Sequence, residues 1–109
     1  MRALPESLLI SSRRERATAI VELEGEFDLD DVDALTATVS SLLESPPAEI
    51  RIDASRLVFV DSSALRALLA AQQRAEAAGV ELGIVRASGP VERLLAMTGL
   101  QDQLGVTAP

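Results

Sequence analysis

The sequence contains neither histidine nor cysteine. Without histidine there is no imidazole base, no Ser-His-Asp relay and no histidine metal site. Without cysteine there are no disulfides, no thiolate ligands and no cysteine nucleophile. Lysine is also missing, so all ten basic side chains are arginine and a G-x-x-x-x-G-K-[ST] phosphate loop is excluded. The only aromatic residues are Phe27 and Phe59, too few for a platform that stacks single-stranded nucleic acid. No apolar run approaches the roughly twenty residues of a membrane-spanning helix. Seventeen acidic residues leave a net charge of -7, which repels phosphate backbones and anionic lipids. The opening Met1-Arg2-Ala3-Leu4-Pro5-Glu6 becomes polar too soon for a signal peptide. These absences predict a cytoplasmic protein with no direct nucleic-acid contact, no membrane insertion and no cofactor.

What is present is ordinary globular material. With 109 residues, 48% hydrophobic and 25% charged, the chain has the size and composition of one domain, 1–109. Leu8-Leu9-Ile10 and the alternating run from Ile20 to Glu24 read as an N-terminal antiparallel hairpin, linked by the charged stretch Ser11–Arg16 and ended by Gly25. Val32, Leu35, Val39, Leu42 and Leu43 fall on one side of a helix, stopped by Pro46-Pro47. Glu49–Asp53 alternates as a strand. Ala54-Ser55-Arg56 reads as a link to Leu57-Val58-Phe59-Val60, a short run expected to be buried. Asp61-Ser62-Ser63 opens a second helix reaching Ala78, with Leu65, Leu68, Leu69 and Ala75 inward and Gly79 as its terminator. Val80–Val85 is a further strand. A third helix, with Val91, Leu94, Leu95 and Met97 inward, follows Ser88-Gly89-Pro90 and ends at Gly99. Leu100 and Leu104 anchor a polar tail. Strands joined through helices are parallel neighbours. The expected fold is therefore α/β: a mixed sheet of four to five strands, an N-terminal hairpin and three helices.

Two polar segments bear on function. The run Asp28-Leu29-Asp30-Asp31-Val32-Asp33 suggests calcium, but an EF-hand loop starting at Asp28 needs an oxygen ligand where Val32 stands. It also needs glycine in place of Asp33 and glutamate in place of Val39. Carboxylates that complement a helix dipole are the better account, and no metal site is expected. In Asp61-Ser62-Ser63, short oxygen-bearing side chains are what a helix N-terminus requires. Yet three of them follow a wholly apolar run, which makes a stiff mount for an exposed hydroxyl. The segment is thus either a cap or a phosphorylation site, where a phosphate gains from the helix amides and is opposed by Asp61. No basic partner stands ready to activate Ser62 as a nucleophile, so an enzyme is not expected. Ser88-Gly89-Pro90 is first of all a turn, with an anion site as the alternative.

Taken together, these stretches resemble the STAS domain family. Gly25-Glu26-Phe27-Asp28 is similar to the family's G-E-[LF]-D signature. Leu57-Val58-Phe59-Val60-Asp61-Ser62-Ser63-Ala64-Leu65 is similar to its phosphorylation-site segment, with Ala64 where many members have glycine. Pro90–Leu100 resembles its last helix. The best likeness is to small stand-alone anti-sigma factor antagonists of bacteria. The resemblance implies that the unphosphorylated chain binds an anti-sigma factor serine kinase and so releases a sigma factor. It implies phosphorylation at Ser62, with Ser63 the alternative hydroxyl, and restoration by a PP2C-type phosphatase. The implied partner surface holds Asp28, Asp61 and Ser63, with Gly25, Glu26, Leu65 and Ser88. The rival reading is an accessory subunit that binds the ATPase of an ABC-type lipid transport system.

Overall fold

In the computed structural model, which describes residues 8–105, the alternating segments become four strands: β1 (Leu9–Glu15), β2 (Thr18–Phe27), β3 (Glu49–Val60) and β4 (Glu81–Ala87). They form one sheet in the order β1-β2-β3-β4. β1 and β2 are the expected antiparallel hairpin, and β2–β3 and β3–β4 pair in parallel. A 3-10 turn, Leu29–Asp31, leads into α1 (Val32–Leu43), and α2 (Ser62–Ala77) joins β3 to β4. α3 (Gly89–Thr98) and α4 (Gln101–Leu104) complete the described chain. The sheet is mixed, as expected. α4 is an addition to the three predicted helices; a single turn is too short to leave a periodic pattern in sequence.

One face of the sheet carries the core. Val21, Leu23, Phe27, Ile52, Leu57 and Ile84 are buried there against Leu35 and Val39 of α1 and Leu68 of α2. Alanines at 64, 67, 71 and 75 bring the α2 backbone close to its neighbours. Among the described residues Gln72 is the one polar residue buried with them: its Nε2 donates to the carbonyls of Leu82 at 2.9 Å and Gln103 at 2.8 Å, tying α2 to β4 and α4. Gly83 is needed under that clamp, because a Cβ there would meet the Leu104 carbonyl at 3.2 Å. From β1, the Arg14 guanidinium donates to the carbonyls of Leu42 at 3.0 Å and Ser45 at 2.6 Å, capping α1.

Several boundaries differ from the sequence reading. Most of Ser11–Arg16 is strand rather than link, and the turn is only Arg16-Ala17. β1 is an edge strand with a mostly exposed pattern, so apolar alternation was never required of it. Gly25 does not end β2; the strand runs on to Phe27. Ala54-Ser55-Arg56 is likewise inside β3, where Asp53 Oδ1 accepts from the Ser55 N–H at 3.0 Å and its hydroxyl at 2.6 Å. A bulge at this point breaks the two-residue period, which is why the segment resembled a loop. Met97 is 82% exposed rather than inward, and Leu69 only half-buried. Met1–Ser7 and the tail beyond Gly105 lie outside the described residues. Among the described residues no helix is long and apolar enough to cross a membrane.

Gly25 has φ +104°, a conformation L side chains rarely adopt, and sits between two register shifts of the β2–β3 ladder. Gly25→Ala is therefore expected to cost about 1–3 kcal/mol. A thermal unfolding scan would read this as a drop of several degrees in Tm.

Candidate functional site

Parallel strands deliver their following loops to the same edge of a sheet. Phe27 at the end of β2 is in register with Val60 at the end of β3, so Asp28 and Asp61 leave the sheet side by side. The 3-10 turn that follows Asp28 lies against α2, which follows Asp61.

Each loop is fixed by its own carboxylates. The Asp28 side chain accepts from the Asp30 N–H at 3.0 Å, and Asp31 Oδ2 accepts from the Asp28 N–H at 3.1 Å, closing a capping box. Burial pushes the Asp31 carboxyl above its ordinary value; the charges of Asp28 and Asp30 push the same way, and the Asp28 N–H offsets only part of it. Asp61 is the N-cap of α2: its Oδ1 accepts from the Ala64 N–H at 3.0 Å. Ser62 and Ser63 are the next two residues, in the first turn, where N–H groups have no acceptor within the helix. Ser62 is exposed and Ser63 half-buried. The cap expected in this segment is Asp61, and capping leaves the exposed Ser62 unused.

Chemically, Ser62 presents a hydroxyl to solvent at the positive end of a sixteen-residue helix, directly after the carboxylate of Asp61. Such a hydroxyl can accept a group that another protein brings. Among the described residues no cluster of carboxylates is arranged to hold a metal ion.

The other predicted site residues divide. Glu26 is half-buried beside Phe59 at the same strand ends, and Gly25 contributes buried backbone next to them. Leu65 is only 4% exposed, so it supports α2 from the core and offers no surface to a partner. Ser88 leaves the same edge of the sheet but is set back from the ends of β2 and β3. It follows Ala87, which pairs with Ala54; with two bulges in between, Val60 lies about four β2 positions further on, roughly 13 Å. Its Oγ is buried without a hydrogen-bond partner and does not cap α3.

Sequence reasoning missed three residues. Val58 and Phe59, expected to be buried, are 66% and 45% exposed. The signal that they differ lies in the pairing, which a single strand's pattern does not contain. Gln72 was missed too, although its spacing from Leu65, Leu68 and Ala75 places a polar residue on the apolar face of α2.

Comparison with known proteins gives a consistent set. A family model described as "Mlab, STAS domain" matches residues 10–106. An anti-sigma F factor antagonist of Paenibacillus polymyxa is 30% identical over 95 residues, covering 86% of this chain and 81% of the relative. A crystal structure of an anti-sigma factor antagonist from Mycobacterium paratuberculosis superposes with TM-score 0.83 at 22% identity, covering 99% of this chain and 92% of that one. SpoIIAA matches in its unphosphorylated form with TM-score 0.73 at 24% identity, covering 94% and 89%. The phosphorylated form of the Bacillus SpoIIAA matches with TM-score 0.67 at 23% identity, covering 94% and 92%.

Two substitutions test the local electrostatics and packing. Asp31→Asn keeps the acceptor for the Asp28 N–H but removes the charge. It should raise Tm at pH 7, because a carboxyl whose folded pKa is raised destabilises the fold once ionised. The gain should vanish as the pH falls through the raised folded value toward the ordinary 3.8 and wild type takes up its proton. Ser88→Ala removes a buried hydroxyl that has no partner and should be neutral or stabilise by up to about 1 kcal/mol in denaturant titration.

Proposed function

The chain belongs to the STAS domain family, and we propose that it is an anti-sigma factor antagonist whose binding is switched at Ser62. In its unphosphorylated form it binds an anti-sigma factor that is also a serine kinase, and so frees a sigma factor. The kinase transfers the γ-phosphoryl group of ATP to Ser62 Oγ; the hydroxyl proton passes to a base on the kinase and ADP leaves. A PP2C-type phosphatase hydrolyses the ester with water, returning the hydroxyl and inorganic phosphate. The chain itself acts by binding rather than by catalysis, in the cytoplasm.

The single observation carrying this reading is the exposed Ser62 hydroxyl at the N-terminus of α2, beside the end of β2. The named relative is an antagonist of an anti-sigma factor, and a protein of the same fold has been solved carrying phosphate. Electrostatics supplies the mechanism. Phosphate adds about -1.5 to -2 charges to a surface already holding Asp28 and Asp61. Against a docked partner that means like-charge repulsion and a desolvation cost. A loss of about 2.7 kcal/mol weakens binding a hundredfold, and the domain does not have to refold. The free amides of the first helical turn favour the phosphate, so the modified chain stays folded while its docking fails.

The test uses purified serine-kinase anti-sigma factors from the genome that encodes the chain. One of them with ATP should add a single phosphate, and Ser62→Ala should block it while Ser63→Ala does not. Ser62→Asp should weaken binding of that kinase at least about tenfold. Phosphate mapped to Ser63, or stable binding to an ABC-type ATPase with no kinase recognised, would overturn the assignment.

A further inference from the structure

The switch proposed above needs a contact for the phosphate to break, and the strand next to Ser62 carries an unexplained one. Between Gly25 and Glu26 the β2–β3 register shifts: Gly25 pairs with Leu57, but Glu26 pairs with Phe59. Val58 is therefore an extra residue on β3. Leu57 is buried, so uninterrupted alternation would turn Phe59 inward as well. The extra residue reverses the phase. Phe59 instead shares the face of its neighbour Glu26, and Val60, in register with the buried Phe27, packs on the core. A bulge that re-aims one side chain is a feature of functional edges in sheets. Here it costs the fold a buried aromatic ring, one of only two in the sequence.

The result is a set of apolar side chains exposed at the acidic ends of β2 and β3. Phe59 is 45% exposed, Val58 66% and Leu29, directly after Asp28, 68%. Phe59 lies three residues before Ser62, within about 11 Å along the backbone. Glu26 is its register partner on β2, Asp28 lies two residues beyond Glu26 and Asp61 two beyond Phe59, and none of the three carboxylates forms an ion pair with another described residue. A partner covering this spot must offer an apolar pocket for the ring and cationic side chains for the unpaired carboxylates. Lipid is disfavoured by the same carboxylates, which repel anionic headgroups.

Resting on the reading of Ser62 as the switch, we propose that Phe59, with Val58 and Leu29, is the apolar anchor of the kinase-binding surface. Its occupant is a kinase pocket rimmed by arginine or lysine. Partially exposed aromatic side chains that enter a partner's pocket carry much of the binding energy of an interface. Phosphate on Ser62 then stands at the rim of a dry contact, where charge is most costly to bury.

The probe is the purified kinase that phosphorylates the wild-type chain, titrated by calorimetry. Phe59→Ala should weaken its affinity at least about tenfold, and Phe59→Leu should recover most of the loss. Both variants should keep the wild-type Tm within a few degrees, since the ring is not in the core. Raising salt from about 50 to about 300 mM should weaken the wild-type complex. Asp28→Asn should flatten that dependence, and Glu81→Gln, at the opposite end of the sheet, should leave it unchanged. If Phe59→Ala binds like wild type while Ser62→Asp does not, the anchor is refuted and the switch stands. If Ser62→Asp also binds like wild type, or no kinase binds, the switch fails and the anchor with it.

Discussion

The parallel ladder between β2 and β3 is the constraint on which everything else depends. Thr18 pairs with Glu49 at one end and Phe27 with Val60 at the other, so β3 spends two more residues than β2 over the same length. Those two residues are the bulges near Ser55 and at Val58. Without them the end of β2 would stand opposite Val58, and Asp61 would overshoot Asp28 by two positions. With them, both strands stop together, and a 3-10 turn and a long helix start from one edge. Gly25, with its positive φ, lies where the second shift occurs.

From this edge the local chemistry is economical. Each loop satisfies its own backbone with its own aspartates, Asp28 and Asp31 in one and Asp61 in the other. The hydroxyl of Ser62 is then free of structural duty. A serine that capped the helix would have to give up that bond when modified, and the helix start would loosen with it. Dividing the tasks between Asp61 and Ser62 lets a charge be added without disturbing the fold. In the proposed switch, the added charge would act through its surroundings, which are acidic and, at Phe59, apolar.

Much of this was legible in sequence, and what was not has a common cause. The three longer helices announced themselves because their apolar spacing and their terminators, Pro46-Pro47, Gly79 and Gly99, are local signals. So did the Asp61-Ser62-Ser63 start. β3 was misread because its period changes twice, at the Asp53–Ser55 hydrogen bonds and at Val58, and period is what identifies a strand. The burial of Val58 and Phe59 was misjudged for the same reason: which way a side chain points after a bulge depends on the partner strand. Leu65 and Ser88 were grouped with Ser62 by resemblance, whereas burial removes the first from the surface and the short β4 sets the second back from the ends of β2 and β3. The bound on β4 is a matter of tertiary pairing and has no mark in its own residues.

The central claim is that the ends of β2 and β3 form one surface through which the partner is held. Amide NMR of the isotope-labelled chain, recorded with and without the kinase, addresses it residue by residue. The account predicts changes concentrated in 25–31 and 58–65, with the opposite end of the sheet around Thr18, Glu49 and Glu81 unaffected. Changes centred on that opposite end, or on 58–65 without 25–31, would contradict it.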